Sequence, residues 1–218
     1  MDALPETLPP EIDLALAYTP RTHRDALRTA FAFDQRLARI AAATTEPMLG
    51  QMRLAWWRDM LGKHAGERPQ GDAVLDAIGD HWRASEPALA RGVDGWEVVV
   101  AAKRIGPGQI EQIAGGRSAA VAALFETGKP DLDARIAAAA SRYVIADLAS
   151  RLSDANEREV AIECALEMSC PDLRLPRMAR GLGVLEALAL RSLRSGGMPL
   201  MHGRGASLTA LRAGILGR

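Results

Sequence analysis

The sequence predicts an all-α protein, a single-domain helical bundle. Aromatic residues make up only 4% of the 218 residues and alanine is abundant, a composition that favours helix over strand. Apolar residues recur at steps of three and four, and we find no convincing strand alternation. The glycine-rich breaks are too short for domain linkers. We therefore expect eight to ten helices in one domain over residues 11–218, after a flexible N-terminal segment, 1–10.

The first two helices are predicted from prolines and an apolar stripe. A short helix is expected at 12–18, because Pro20 stops it. Thr22 is a suitable N-cap for a long helix that runs to about Ala43. The buried stripe of this helix is predicted to be Ala26, Ala30, Phe33, Leu37 and Ile40.

The third helix is predicted from Pro47 to about His64, since proline is tolerated in a first turn. Its buried stripe is predicted to be Leu49, Met52, Trp56 and Met60. Arg53 and Trp57 are expected on an adjacent face. The later helices are predicted at about 72–82, 96–104, 109–125, 131–152, 157–169, 175–195 and 208–216.

Charge and composition limit the classes of function. Basic and acidic residues number 27 each, so the basic excess of a nucleic-acid-binding protein is missing. The N-terminus does not have the pattern of a signal peptide, and no apolar run approaches the length that spans a membrane. The spacing of Cys164 and Cys170 suits neither a zinc knuckle nor a redox motif. Four histidines are scattered singly, so we expect no metal or catalytic role for them: His23, His64, His81 and His202.

Residues 30–61 are the most distinctive part of the chain. They read AFAFDQRLARI, a short connector, and EPMLGQMRLAWWRDML. Further along come VDGWE, GGRSAAVAALFETG, SRYVIADLASRLSD and LRLPRMARGLGVLEALALRSLR, in this order. These segments resemble the squalene/phytoene synthase family. The closest resemblance is to its divergent members related to a mitochondrial respiratory complex I assembly factor.

The resemblance implies an isoprenoid-synthase type of helical fold around a central apolar cavity. Active members of that family join two prenyl diphosphates head to head. Carboxylates from two facing helices hold Mg²⁺, which neutralises the departing diphosphate. In this chain the first Asp-Asp-x-x-Asp positions fall on Ala38, Arg39 and Ala42, so the matching metal ligands are missing. At the second motif, Asp147 falls near the family's Asn, with Ser150 and Arg151 near its Arg-Asp.

Two acids are candidates for a displaced catalytic pair, Asp34 and Asp147. The competing interpretation makes Asp34 a pocket-rim acid paired with Arg36 or Arg39, and pairs Asp147 with Arg151 one helical turn away. Four residues are possible cavity-lining residues under the resemblance: Arg39, Arg53, Trp57 and Tyr143.

Two other patterns are interpreted as structural. Asp72, Asp76 and Asp80 have metal-ligand spacing, but a solvated helix face explains them. The glycine-rich pieces at 115–117 and 202–205 are expected to be turns, because they lack the context of a phosphate loop.

Three hypotheses for function follow. The first is a family member without metal-dependent prenyl transfer, which binds a lipid or prenyl chain or assists assembly of a respiratory complex. The second is an active Mg²⁺-dependent prenyltransferase that uses Asp34 and Asp147. The third is an interaction scaffold without a ligand cavity. Only the second requires a cofactor, Mg²⁺. No nucleic-acid partner is expected. The expected location is cytoplasmic, with a peripheral position at the inner face of the membrane as an alternative.

Overall fold

Ten α-helices and two short 3-10 turns form the regular structure of residues 7–217, the part of the chain that the computed structural model describes. The helices are α1 (Pro10–Ala17), α2 (Arg21–Ala42), α3 (Pro47–Leu61), α4 (Ala73–His81), α5 (Glu86–Ala101), α6 (Pro107–Leu124), α7 (Pro130–Arg151), α8 (Ala155–Glu167), α9 (Arg180–Arg194) and α10 (Gly205–Leu216). The 3-10 turns are Ala65–Glu67 and Arg177–Ala179. These residues contain no strand, so the all-α prediction is confirmed.

The core lies between α2, α6 and α7. Helix α6 packs between α5 and α7, and α2 lies across α4, α5 and α6. Helix α7 extends the core to α9, which in turn packs against α1 and α10. Buried side chains from all of these helices form one continuous cluster. Burial of apolar surface in one such core is the expected driving force for the folding of a chain of this length.

Helix α2 places an acid among buried apolar side chains. Leu27, Phe31 and Ala38 are buried at steps that bring them to one face of the helix. Asp34 lies on the same face, three residues after Phe31 and four before Ala38. The apolar stripe of α2 therefore turns Asp34 toward the core.

The predicted buried stripe of α3 is wrong in part. Trp56 is 41% exposed and Trp57 only 3%, and Leu49 and Met52 are exposed as well. Of the predicted stripe only Met60 is buried. The sequence offers two apolar stripes, and the ring of Phe33 selects the second by packing edge-on against Trp57, 5.3 Å between centroids.

Helices α5 and α6 cross at unusually short range. A methyl group on Gly116 would lie 2.6 Å from the Arg91 carbonyl oxygen and 2.8 Å from the Gly95 nitrogen. Gly115 and Gly116 therefore lie inside α6, and the prediction of a turn at 115–117 is wrong. Helix α5 also begins ten residues before its predicted start at 96. Of its two glycines, which lower helix propensity, Gly95 lies at this contact, whereas a methyl group on Gly92 would meet nothing within 4 Å.

The chain ends of the fold differ from prediction in small ways. Residues 1–6 of the predicted flexible segment lie outside the described residues. Leu8 is buried and Pro10 begins α1, so the folded part begins earlier than residue 11. Thr22 is not the N-cap of α2, whose cap position is Pro20. Among the helices of 7–217, none has both the length and the hydropathy to cross a membrane.

Candidate functional site

The side chain of Arg117 joins the two acids that the sequence singles out. From α6, its Nε donates to Asp34 Oδ1 at 3.1 Å and its Nη2 to Asp34 Oδ2 at 2.8 Å. The same Nη2 donates to Asp147 Oδ2 of α7 at 2.8 Å. The side chain of Arg117 is 1% exposed. We call the three residues the Asp34–Arg117–Asp147 centre.

Neighbouring groups donate further hydrogen bonds to the two carboxylates of this centre. Trp96 of α5 donates its indole Nε1–H to Asp34 Oδ1 at 2.7 Å, and its ring lies 4.2 Å from the guanidinium carbon of Arg117. Arg151 donates from Nε to Asp147 Oδ1 at 2.9 Å. The predicted Asp147–Arg151 ion pair is confirmed. Indole, guanidinium and carboxylate thus share a water-poor site.

The charges of the centre hold one another in their ionised forms. Burial alone would raise the pKa of Asp147, but the positive charges and hydrogen bonds of Arg117 and Arg151 outweigh it and lower the pKa below the ordinary value. Burial likewise disfavours the Arg117 cation, yet Asp34 and Asp147 raise its pKa further above the usual range. The centre is therefore a buried group of paired charges, in which Arg117 Nη1 alone of the three guanidinium nitrogens has no hydrogen-bond partner among the described residues.

Tyr143 and Glu11 lie beside the centre. The pKa of Tyr143 is raised well above its ordinary value by burial and by the charges of Asp147 and Asp34, so its hydroxyl is neutral. Burial also raises the pKa of Glu11, and the nearby Asp147 adds to the effect. The pocket that Asp34, Arg117 and Tyr143 line has a volume of about 20 Å³. That is room for about one water molecule, so the side chains fill the place where the resemblance implies a prenyl cavity.

The residues of this centre do not fit a Mg²⁺ ion. Mg²⁺ requires octahedral oxygen ligands at about 2.1 Å. Both carboxylates here accept hydrogen bonds from the Arg117 cation, which lies between them. Among residues 7–217 no group of three or more His, Cys, Asp or Glu side chains is arranged to hold a metal. A Mg²⁺ ion could bind between these carboxylates only if the Arg117 guanidinium, whose side chain is 1% exposed, were displaced.

The other predicted site residues do not converge on the centre. Arg39 and Arg53 are exposed, and so is Ala42. Ala38 is buried on the core face of α2. Trp57 is buried against Phe33, where the guanidinium of Arg36 also approaches its ring at 5.6 Å. Of the four expected cavity-lining residues, Tyr143 alone lies next to Asp34.

Two acids have other partners than the sequence suggested. Asp34 forms its ion pair with Arg117, which was not among the partners expected from the sequence. Arg36 instead binds Asp72 at 2.7 Å, and Asp72 also caps α4 by accepting from two backbone amides. Asp76 and Asp80 are exposed, in agreement with a solvated face.

Sequence reasoning missed Arg117, the residue that links the site. Its signal was present, because Arg117 is a lone cation between two glycines and the run of small apolar residues SAAVAAL. A single arginine in such a run lies on a helix that packs closely on all sides, where a charge requires a buried acid. Comparison of the chain with models of known families, with curated proteins and with solved structures finds no match.

Proposed function

We propose that this protein is non-catalytic and acts by binding other molecules at its surface. The observation that supports this most directly is the position of Arg117 between Asp34 and Asp147. The acids that a displaced metal site would use are neutralised within the fold. The pocket of about 20 Å³ beside them is far smaller than a prenyl chain.

The resemblance of residues 30–61 to squalene/phytoene synthases supplies the partner classes of this proposal. They are a prenyl or lipid molecule held at the surface, or a respiratory-complex subunit during assembly. A cytoplasmic location at the inner face of the membrane belongs to the same proposal. These parts rest on the sequence resemblance alone.

One observation favours a second candidate, a Mg²⁺-dependent prenyltransferase. Asp34 of α2 and Asp147 of α7 share one guanidinium, so the two carboxylates of the displaced-acid hypothesis are close in space. That hypothesis places a cavity between them, and here Arg117 occupies that position. A conformational change that withdrew Arg117 would leave them free to bind a cation.

Incubation with farnesyl diphosphate and Mg²⁺ separates the two candidates. We expect no pyrophosphate release from the wild-type protein, since no Mg²⁺ site forms while Arg117 is in place. A known prenyltransferase serves as the positive control, and Asp34→Ala and Asp147→Ala serve as matched variants. Pyrophosphate release that both variants abolish would make the protein an enzyme. Thermal shift with the same ligand reports binding without turnover, and a clear shift would place a prenyl ligand among its partners.

A further inference from the structure

Helix α10 presents its large apolar side chains to solvent and its small ones to the fold. Ala206, Ala210 and Ala213 are buried, whereas Leu208 is 69% exposed and Ile215 59%. Leu211 is exposed between them. Steps of three and four place the three large residues on one face. This is the reverse of the pattern by which a surface helix stabilises a bundle.

The inner face explains why α10 holds its place without burying leucines. Among the described elements α10 packs extensively against α9 alone. The ring of Tyr18 lies directly over Gly214, where any side chain would collide with it. Small residues therefore let α10 approach α9 and α1 closely. The outward leucines contribute nothing to this packing, so their presence requires another explanation.

Arginines surround this helix. Residues 173–218 contain eight arginines and one acid, Glu186, although the whole chain is neutral. Glu186 is buried and bound by Arg135 and Arg142, so it does not neutralise the surface. No carboxylate of residues 7–217 lies within ion-pair distance of Arg174, Arg204 or Arg212. The positive charge of this segment is thus available to a partner.

The arginines lie at both ends and along the outer face of α10. Arg204 immediately precedes the helix, and Arg212 shares the face of Leu208 and Ile215. At the C-terminal end, Arg174 and Arg180 line a groove of about 480 Å³ that reaches Gly217. The groove is also lined by one acid, Asp172, and by three leucines: Leu173, Leu175 and Leu190. A phosphate group with an attached apolar chain matches this lining.

We propose that the α10 surface, formed by Leu208, Leu211, Ile215 and the neighbouring Arg174, Arg204 and Arg212, binds the surface of a membrane that contains anionic phospholipids. An exposed apolar face bordered by unpaired arginines is the arrangement by which an interfacial helix inserts between headgroups. Arginine stems can follow the apolar face while their guanidiniums contact phosphates. The proposal names a partner for the surface-binding role proposed above and rests on it.

Charge complementarity favours a lipid surface over a protein. A protein interface typically surrounds its apolar centre with a mixed polar rim. The rim here is mostly positive, since Arg174, Arg180, Arg204 and Arg212 outnumber Asp172, the one unpaired acid among its described residues. An anionic leaflet is the partner that meets a predominantly positive rim and an apolar helix face at once.

Co-sedimentation with vesicles tests the proposal. We expect the full chain to bind vesicles of phosphatidylcholine with roughly one-third phosphatidylglycerol, and not vesicles of phosphatidylcholine alone. Raising the salt from about 0.1 M to about 0.5 M should weaken the binding, because the arginine contribution is screened. The variant Leu208→Gln, Leu211→Gln, Ile215→Gln should lose about tenfold in affinity or more.

Two further variants make the result specific. Neutralising Arg174→Gln and Arg212→Gln should cost roughly fivefold in affinity for each arginine. Met48→Gln with Met52→Gln removes comparable exposed apolar surface from α3, outside the arginine-rich segment, and should leave binding unchanged. All substituted side chains face outward, so the far-UV circular dichroism and the melting temperature should stay close to those of the wild type.

The proposal is overturned if the wild type does not bind anionic vesicles, or binds neutral ones equally well. Unchanged binding by the α10 glutamine variant overturns it too. A dimer in light scattering that the same variant dissociates, without vesicle binding, would identify the surface as a protein interface and also refute it. A negative result in the vesicle assay would not change the interpretation of the prenyl diphosphate assay, because that assay reports on the Asp34–Arg117–Asp147 centre.

Discussion

Removal of the Arg117 cation leaves two carboxylates in the core without their common partner. We expect Arg117→Met to lower the free energy of unfolding by about 3–5 kcal/mol, as breaking one side of a buried ionic group does. Urea unfolding followed by circular dichroism measures the change. Arg53→Met removes an exposed arginine and should change stability by no more than about 0.5 kcal/mol.

The acids provide the matching control for this prediction. In an Asp34→Asn, Asp147→Asn background, Arg117→Met should cost clearly less, because no unpaired negative charge remains in the core. Equal costs in both backgrounds would mean that the loss comes from packing of the arginine stem, and not from the charge that links α2, α6 and α7.

At Glu11, unlike at Arg117, we expect removal of the charge to stabilise the folded protein. Burial, the largest effect, raises the pKa of Glu11 in the folded protein, so the folded state favours the neutral carboxyl. Stability is therefore lost as pH rises from the unfolded-state pKa of about 4.3 through the raised folded-state value. Glu11→Gln is neutral throughout. It should melt at a higher temperature than the wild type near pH 7.5, and the difference should vanish near about pH 4.

Asp13 supplies the control for Glu11. Both residues lie in the first turn of α1, where acids interact favourably with the helix dipole, but Asp13 is exposed. Asp13→Asn should therefore not raise the melting temperature at neutral pH. A Glu11→Gln protein that melts below the wild type at neutral pH would show that the carboxylate is stabilised in the fold, and not strained by burial.

At the level of helices, the two adjacent glycines of α6 near its crossing with α5 have very different surroundings. Gly116 faces the backbone of α5, whereas a methyl group on Gly115 would meet nothing within 4 Å. We expect Gly116→Ala to destabilise the protein by about 1–3 kcal/mol, because the helices must separate. Gly115→Ala should stabilise it by about 0.5–1 kcal/mol through helix propensity. Thermal or urea unfolding of the two neighbours measures both; destabilisation of similar size at both positions would contradict the close crossing.

The helices also show where pattern reasoning from a single chain is limited. The sequence places apolar residues on two faces of α3, and hydropathy alone ranks Trp56 and Trp57 equally. Contact with Phe33 decides that Trp57 is buried. In α10 the same reasoning would bury Leu208 and Leu211, yet the alanine and glycine face is the inner one. Amphipathic periodicity therefore identifies a helix without deciding which face packs.

Across the whole molecule, charge is divided unevenly although the total is zero. Residues 173–218 are strongly positive and the preceding part of the chain is correspondingly negative. The positive segment forms α9 and α10, which pack against each other. A neutral protein can thus direct one charged surface toward an anionic partner, which net charge alone does not reveal.

By itself, the sequence determined the helical class and most helix positions, and it singled out Asp34 and Asp147 as candidates, because periodicity, prolines and isolated acids are local signals. It also indicated the Asp147–Arg151 pair, which lies within one turn of a helix. Only the tertiary structure decided that Arg117, 83 positions from Asp34 and 30 from Asp147, joins the two acids. It likewise decided which faces of α3 and α10 are exposed. These features depend on packing between helices distant in sequence, which no local pattern specifies.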